Sequence, residues 1–146
     1  MLHLCRLRIP KAGNEAVKKR YLLDTHAFLW HIRTPEALPA KVSSILSDPQ
    51  VDILVSIATP WEIAIKAKTG KLDASNILIG FEARVTAAKF EMLETTVNQV
   101  IRGGGLPLHH RDPFDRLLVA QAFELRIPIL SNDDVLDFYG VPRIWD

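Results

Sequence analysis

The chain has 146 residues, of which 48% are hydrophobic and 24% charged, and this composition is typical of one globular domain with a substantial core. Its single cysteine, Cys5, excludes an intramolecular disulfide and a multi-cysteine zinc site, which suits a reducing cytoplasm. The sequence shows neither a secretory signal pattern nor the run of about 20 apolar residues that a membrane helix needs, so we expect a soluble cytoplasmic protein without a membrane partner.

The charges are distributed unevenly along the chain. The overall net charge is +1, but residues 1–20 hold six Lys or Arg against one acid, Glu15, a net +5 that leaves −4 for the remainder. A basic segment without apolar periodicity predicts a flexible extension, so we expect the folded domain to span residues 21–146. If this slightly acidic domain binds a nucleic acid, local Arg and Lys side chains or a metal ion must hold the phosphates.

The first half of the predicted domain alternates short strands with helices. Val- and Ile-rich runs predict strands, whereas helical spacing of apolar residues, a proline at the start and a glycine at the end predict helices. In chain order, these patterns give a strand at 21–23, helices at 25–31 and 39–48, a strand at 51–57 and a helix from residue 59 to about residue 68.

The second half continues this alternation. It is predicted to contain a helix at 77–89, a short strand or connector at 90–95, a break at Gly103 to Gly105, a helix from residue 113 to about residue 125, a strand at 127–130 and a short helix through Asp137. Strands separated by helices of ten or more residues favour a parallel sheet that is covered on both faces. We therefore predict an α/β fold, a three-layer α/β/α domain with a central, mainly parallel sheet.

Four acidic residues lie where these elements begin or end. Asp24 and Asp133 directly follow predicted strands, while Glu62 and Asp115 lie in the predicted first turns of helices that should begin at the same edge. Because ligands collect at the carboxyl ends of parallel strands, these four side chains can meet there. Clustered carboxylates are stable only if a cation neutralises them, so the sequence predicts a metal site at this edge.

Three of these acids also have a purely structural explanation. Asp24 can cap the helix that follows it, since Asp is a favoured residue at this position. Glu62 fits the last position of a capping box that starts at Thr59. Asp133 can form an Asx turn or cap a short helix. Sequence alone leaves both the structural and the catalytic explanation open for each residue.

The segment around Asp115 contains further polar candidates. Asp112 is predicted to cap the helix that carries Asp115, which leaves Asp115 to face the pocket. Arg116 can contact a substrate phosphate or steady a carboxylate. His109 and His110 are adjacent loop residues, for which a surface or helix-entry position is favoured over metal ligation.

Four segments, taken in this order, carry a resemblance to a known family. They are Tyr-Leu-Leu-Asp-Thr-His at 21–26, Trp-Glu-Ile-Ala-Ile-Lys at 61–66 with Gly-Lys-Leu at 70–72, His-Arg-Asp-Pro-Phe-Asp-Arg-Leu-Leu-Val-Ala-Gln-Ala at 110–122, and Leu-Ser-Asn-Asp at 130–133. The Asp-Pro-Phe-Asp-Arg block is the most specific of them. Together they resemble the PIN-domain ribonucleases, specifically the VapC-type toxins of prokaryotic toxin–antitoxin modules, from residue 21 to the end of the chain. The chain departs from the pattern at Thr59-Pro60, where a Ser-Leu pair is expected, and in its run of three glycines.

The resemblance implies a PIN-like fold and a metal-dependent endoribonuclease that hydrolyses RNA. The implied catalytic and metal-binding residues, which would hold Mg²⁺ or Mn²⁺, are Asp24, Glu62, Asp115 and Asp133. The residues implied to support these acids or to contact the substrate are Thr25, Asp112, Arg116 and Ser131. The resemblance also implies a homodimer and a cognate antitoxin, whose basic residue enters the acidic pocket. Apolar residues 28–30 can contact such a partner, although core packing is favoured.

Other functions are compatible with parts of this pattern. A phosphoaspartate enzyme also places an Asp after its first strand, but Asp24-Thr25-His26 lacks the nearby second Asp of haloacid-type phosphatases. A non-catalytic PIN-fold binding protein, or a PIN-type nuclease that acts in RNA maturation or DNA cleavage, stays open at this point.

Overall fold

A parallel five-stranded sheet forms the centre of the protein. The computed structural model describes residues 17–146. Its strands are β1 (Lys19–Leu23), β2 (Val51–Ser56), β3 (Glu91–Leu93), β4 (Ile129–Leu130) and β5 (Arg143–Ile144). They lie in the order β3-β2-β1-β4-β5, and every neighbouring pair is parallel. The predicted α/β architecture with a parallel sheet is thereby confirmed.

Helices connect the strands. They are α1 (Thr25–Arg33), α2 (Ala40–Ser47), α3 (Ala58–Lys68), α4 (Ser75–Leu78), α5 (Phe81–Ala87), α6 (Val97–Gly105) and α7 (Pro113–Leu125), with 3-10 helices at Pro35–Ala37 and Asp134–Tyr139. Within the described residues, no helix is both long enough and apolar enough to cross a membrane.

The two faces of the sheet carry two separate hydrophobic cores. Leu23 points into one core, which contains Phe28 and Val42, whereas its neighbour Leu22 points into the other, which contains Leu118. Adjacent residues of a strand face opposite sides of a sheet, so β1 contributes to both cores and is buried between two helical layers. The predicted three layers follow from this alternation. Phe28 is fully buried, which confirms that it packs in the core.

Several element boundaries differ from the prediction. The predicted helix at 77–89 is two helices, α4 and α5, because Gly80 adopts a left-handed conformation (φ 64°) that α-helices do not contain. Strand β5 was not predicted, since a two-residue strand has too little apolar sequence to be recognised. Strand β1 begins at Lys19, two residues before the predicted start. Most of the predicted extension, residues 1–16, lies outside the described residues.

The predicted chain break at Gly103 to Gly105 is wrong, because these glycines are the last residues of helix α6. An unpredicted capping box starts this helix: the Thr96 side chain accepts the Gln99 N–H, and the Gln99 side chain accepts the Thr96 N–H. A Cβ at Gly103 would lie 3.2 Å from the Leu117 Cα of helix α7. Gly103 therefore permits close packing of two helix backbones.

Gly103→Ala should lower the free energy of unfolding by about 1–2 kcal/mol, because the added methyl group must displace the α7 backbone. The matched control is Gly104→Ala, where no atom lies within 4 Å of the added Cβ and where alanine should raise stability by up to about 1 kcal/mol. Urea unfolding followed by circular dichroism measures both changes. Equal effects of the two substitutions would contradict the proposed packing role of Gly103.

Candidate active site

Four acidic side chains lie together at the carboxyl edge of the sheet. Asp24 follows β1, and its backbone N–H donates to the Leu130 carbonyl at the end of β4 (3.1 Å). Asp133 lies three residues beyond β4, in the segment that follows it. Glu62 and Asp115 come from α3 and α7. Because these elements start or end at one edge, residues distant in sequence converge there, as the sequence predicted.

The site is buried on the inside and open at one rim. Asp24, Glu62 and Asp115 are 3%, 1% and 8% exposed, whereas Asp133 is half-buried. Buried carboxylates lose their hydration, which makes their ionised form costly unless it is paired or hydrogen-bonded. Three of the four acids therefore need compensation from the protein or from a bound cation.

The pKa of Asp115 reports how close these acids lie to one another. Burial, and then the charges of Asp24, Asp112, Glu62 and Asp133, raise the pKa of Asp115 to about 9. Burial also raises the pKa of Asp24. The protein alone thus does not neutralise this cluster, and Asp115 keeps a proton at neutral pH while no cation is present.

Asp24 occupies the N-cap position of helix α1. Its side chain makes no capping hydrogen bond in α1, and instead its Oδ2 accepts the hydroxyl of Ser131. Thr25 Oγ1 lies 3.2 Å from Thr59 Oγ1, and this contact joins the start of α1 to α3. The Ser131 hydroxyl therefore donates to one of the four acids, whereas the Thr25 hydroxyl hydrogen-bonds to Thr59 and to none of the four acids.

The predicted capping box at Thr59 and Glu62 is also wrong. Helix α3 begins at Ala58 with Ile57 at the N-cap position and no side-chain cap, so Glu62 lies beyond the first turn. Its side chain points into the acidic cluster, where its Oε2 forms an ion pair with Lys66 one helical turn later. The capping explanation for Glu62 is thereby excluded.

Two carboxylate oxygens in the site have no hydrogen-bond partner. They are Asp24 Oδ1 and Glu62 Oε1, both buried, within the described residues. Buried polar atoms are nearly always paired, so two orphan acceptors beside each other's charges are unusual. Hard cations such as Mg²⁺ and Mn²⁺ prefer carboxylate oxygens as ligands, and the donor set of this site fits such an ion.

Lys66 is a site residue that the sequence analysis missed. Its ammonium group contacts Glu62 Oε2 and lies 3.3 Å from Asp112 Oδ2, so it partly neutralises one side of the cluster. The spacing of four residues between Glu62 and Lys66 is the helical ion-pair spacing and was a usable signal. The contact between Lys66 and Asp112 could not be predicted, because these two residues lie far apart in sequence.

Asp112 and Arg116 stabilise the start of helix α7 and the loop before it. Asp112 Oδ1 accepts the Phe114 N–H (2.9 Å), which confirms the predicted N-cap. Arg116 Nη1 donates to the carbonyls of His110 and Arg111 at 3.0 and 3.1 Å. Arg116 thus holds the loop by its backbone and steadies no carboxylate directly, while its contact with a substrate stays a prediction.

His110 lies at the entry to helix α7, one of the two favoured positions, and its ring lies in the acidic cluster. Its Nε2 is 2.6 Å from Asp133 Oδ2 and 3.2 Å from Asp115 Oδ2. Among residues 17–146, two sets of three side chains have ligand atoms close enough to share an ion: His110 with Asp115 and Asp133, and Glu62 with Asp112 and Asp115. Asp115 belongs to both sets. Asp133 also caps the following 3-10 helix through its Oδ1, as the sequence allowed.

This arrangement of acids on a parallel sheet can be compared with known proteins. Residues 21–142 match the family model of the PIN domain. The chain belongs to the PIN-domain family. No curated protein sequence shows significant similarity to it.

Solved structures share this PIN fold at low sequence identity. A chain of VapBC2 from Rickettsia felis, bound to a DNA fragment from their promoter, has a TM-score of 0.63 and 14% identity over 87% of this chain and 99% of that chain. For VapBC-1 from nontypeable Haemophilus influenzae, the TM-score is 0.59 and the identity 16%, over 86% and 96%. For FitAcB from Neisseria gonorrhoeae, the values are 0.58 and 16%, over 85% and 96%. At this identity the likeness shows a common fold.

The metal-free PIN domain should lose stability as the pH rises between about pH 5 and pH 8. The pKa of Asp115 rises from its ordinary value of 3.8 to about 9 in the folded protein, so in this range the folded chain holds a proton that the unfolded chain has released. One such proton lowers the free energy of unfolding by at most about 1.4 kcal/mol per pH unit.

Denaturant unfolding in EDTA at several pH values measures this slope. Asp115→Asn removes the titrating group and should flatten the profile, although the raised pKa of Asp24 leaves part of the slope. Asp73→Asn alters an exposed acid and should keep the slope of the parent protein. Parallel profiles for Asp115→Asn and the parent would show that Asp115 is not perturbed as described.

Proposed function

We propose that this PIN domain is a metal-dependent endoribonuclease that acts as the toxin of a toxin–antitoxin module. The observation that carries the proposal is the convergence of Asp24, Glu62 and Asp115, all buried, with two carboxylate oxygens that lack a hydrogen-bond partner in residues 17–146. Such a cluster favours a bound cation over a purely structural role. The structural likeness to VapBC proteins supports the assignment to VapC-type toxins.

In this proposal, Asp24, Glu62, Asp115 and Asp133 hold Mg²⁺ or Mn²⁺. The bound ion would supply Lewis-acid chemistry, which polarises a phosphodiester and lowers the pKa of a water molecule. The residues of the chain keep the oxygens in place: the Ser131 hydroxyl donates to one oxygen of Asp24. Hydrolysis of this kind needs no Ser, Cys or His nucleophile.

Lys66 restricts where a cation fits in the site. Its ammonium group already contacts Glu62 and Asp112, so the negative charge on that side is partly neutralised by the chain itself. The oxygens without such a partner, Asp24 Oδ1 and Glu62 Oε1, are the ones we assign to the ion together with oxygens of Asp115 and Asp133. A second ion on the Asp112 side would face the Lys66 charge, which favours a single ion in this state of the protein.

We assign a cognate antitoxin protein as a binding partner. Two of the structurally similar proteins are VapBC complexes by name, which supports a partner protein for this chain as well. A basic side chain of such a partner would neutralise the same carboxylates that hold the metal, and therefore it would compete with the ion. The acidic cluster with Asp133 at its open rim offers the charge that such a side chain needs.

We also assign a homodimer, formed through the outer face of helices α3 and α6. Val97, Val100 and Ile101 form an apolar stripe on α6 and are 76%, 52% and 68% exposed. Trp61 of α3, which is 60% exposed, packs edge-to-face on Phe114 beside them. A cavity of about 450 Å³ between α3, α6 and α7 adjoins this face. Contiguous exposed apolar surface of this kind favours burial against a second protein surface.

Purified protein should cleave labelled RNAs, including tRNAs, with Mg²⁺ or Mn²⁺ and not with EDTA. Asp24→Asn and Asp115→Asn should each lower the rate by about 100-fold or more, because removal of one ligand costs several kcal/mol of transition-state stabilisation. Asp73→Asn is the matched control, since it removes an exposed carboxylate outside the site and should cleave at the parent rate.

Metal-independent cleavage, or full activity in Asp24→Asn, contradicts the assignment. Binding of Mn²⁺ without cleavage of any RNA would instead favour a non-catalytic PIN-fold binding protein. Metal binding is therefore measured on the same preparation by isothermal titration calorimetry.

Ile101→Glu should convert a dimer to a monomer, because it places a charge in the apolar stripe of α6. Ile79→Glu is the matched control: Ile79 is 77% exposed between α4 and α5 and belongs to neither α3 nor α6. Light scattering after size-exclusion chromatography gives the mass of each protein. A dimer that survives Ile101→Glu, or a parent protein that is monomeric, excludes this interface.

A further inference from the structure

We propose that His110 is a positioning residue, which orients the carboxylate of Asp133 at the rim of the acidic site by donating its Nε2–H and does not itself bind the metal. The inference rests on the proposed metal-dependent function. It assigns a role to a side chain for which the sequence favoured a surface or helix-entry position and which distance alone makes a candidate ligand.

The hydrogen bonds of the imidazole ring fix its tautomer. The backbone N–H of Asp112 points at His110 Nδ1, at 3.1 Å. A backbone amide can only donate, so Nδ1 accepts and carries no proton. The proton of the neutral ring is therefore on Nε2, the atom that lies 2.6 Å from Asp133 Oδ2. A protonated ring nitrogen has no lone pair for a metal ion, so the ring in this tautomer is a donor.

The loop that carries His110 is fixed by three further hydrogen bonds. The His110 backbone N–H donates to the hydroxyl of Tyr139 (2.7 Å), and this hydroxyl donates to the Pro107 carbonyl (2.6 Å). Arg116 donates to the His110 carbonyl at 3.0 Å. Both sides of the residue are thus tied to neighbouring elements, so the ring presents its N–H from a defined place. A side chain can orient a neighbouring carboxylate only if its own position is fixed, and these hydrogen bonds fix the position of His110.

The hydrogen bond from the imidazole ring fixes the orientation of the Asp133 carboxylate. Asp133 Oδ1 accepts the Val135 N–H, and Oδ2 accepts from His110. The plane of this carboxylate is consequently set by one donor on each oxygen. The same Nε2 lies 3.2 Å from Asp115 Oδ2, so its partial positive charge also separates the two acids. Without the ring, Asp133, which is the least buried of the four acids, would turn towards solvent and away from the site.

Nitrogen NMR of the metal-free protein tests the tautomer directly. Long-range proton–nitrogen correlations of His110 should identify Nδ1 as the unprotonated nitrogen and Nε2 as the protonated one. The opposite tautomer would overturn the proposal, since Nε2 would then be an acceptor that is free to bind a metal ion. This readout needs neither metal nor RNA, and it is independent of the nuclease assignment.

Titration with Mn²⁺ tests the positioning role. His110→Ala should weaken Mn²⁺ binding by about 10- to 100-fold, as is usual when a hydrogen-bond partner of a ligand is removed. His110→Gln should retain affinity close to the parent value, because its amide N–H can replace Nε2–H. His31→Ala is the matched control, since the His31 ring packs on Phe90 (5.1 Å between centroids) near the end of α1 and contacts no residue of the acidic cluster.

The remaining outcomes separate this proposal from the proposed function. Equal Mn²⁺ affinity of His110→Ala and the parent, or equal weakening by Ala and Gln, overturns the positioning role while metal binding stands. Electron spin-echo spectra of bound Mn²⁺ should lack the coupling of a directly bound nitrogen, and such a coupling makes His110 a ligand instead. If the parent protein itself binds no Mn²⁺, both this proposal and the metal-dependent function fail.

Discussion

The repulsion between buried carboxylates at the carboxyl edge of the sheet is the constraint on which this site depends. Asp24, Glu62 and Asp115 are almost completely inaccessible to water. This burial, and then the charges of the neighbouring acids, raise the pKa of Asp115 to about 9. A protein gains no stability from such an arrangement by itself. The cluster therefore favours a bound cation, and its carboxylate oxygens match the ligands that a hard divalent ion prefers.

The surrounding side chains neutralise the negative charge of the cluster only in part. Lys66 forms ion pairs with Glu62 and Asp112. In the same cluster, His110 donates to Asp133. The Ser131 hydroxyl donates to Asp24. Each of these contacts involves only one of the two oxygens of a carboxylate. Asp24 Oδ1 and Glu62 Oε1 are left without a partner among the described residues. The protein thus orients its acids with fixed donors and leaves two inner oxygens that could bind a cation, an arrangement that fits a preorganised metal site.

The part of the site that was predictable from sequence is the part that depends on local structure. The positions of Asp24 and Asp115 follow from the end of a strand and the start of a helix, both of which have clear local signals. The roles of Lys66 and His110 depend on contacts with Asp112 and Asp133, which only the folded chain brings near. No local pattern distinguishes a histidine that donates to a distant carboxylate from one on the surface.

The same distinction explains the errors in the fold. The sequence predicts that Gly103 breaks a helix, because glycine has a low helix propensity. In the structure its role depends on helix α7, since a Cβ at Gly103 would lie 3.2 Å from the Leu117 Cα. The Thr59 capping box failed because helix α3 starts before Thr59, at Ala58. In both cases a tertiary contact or an adjacent element overrides the local preference. The alternation of strands and helices is robust to such shifts, which is why the parallel sheet was predictable.

Location of the cation by anomalous diffraction tests the central claim most directly. Crystals of the protein soaked in Mn²⁺ and measured near the manganese absorption edge should show an anomalous peak among Asp24, Glu62 and Asp115, and crystals of Asp115→Asn should lose it. A parent crystal without a peak at this edge of the sheet, or with Mn²⁺ only at exposed acids such as Asp134, would contradict the assignment of the acidic cluster as a metal site.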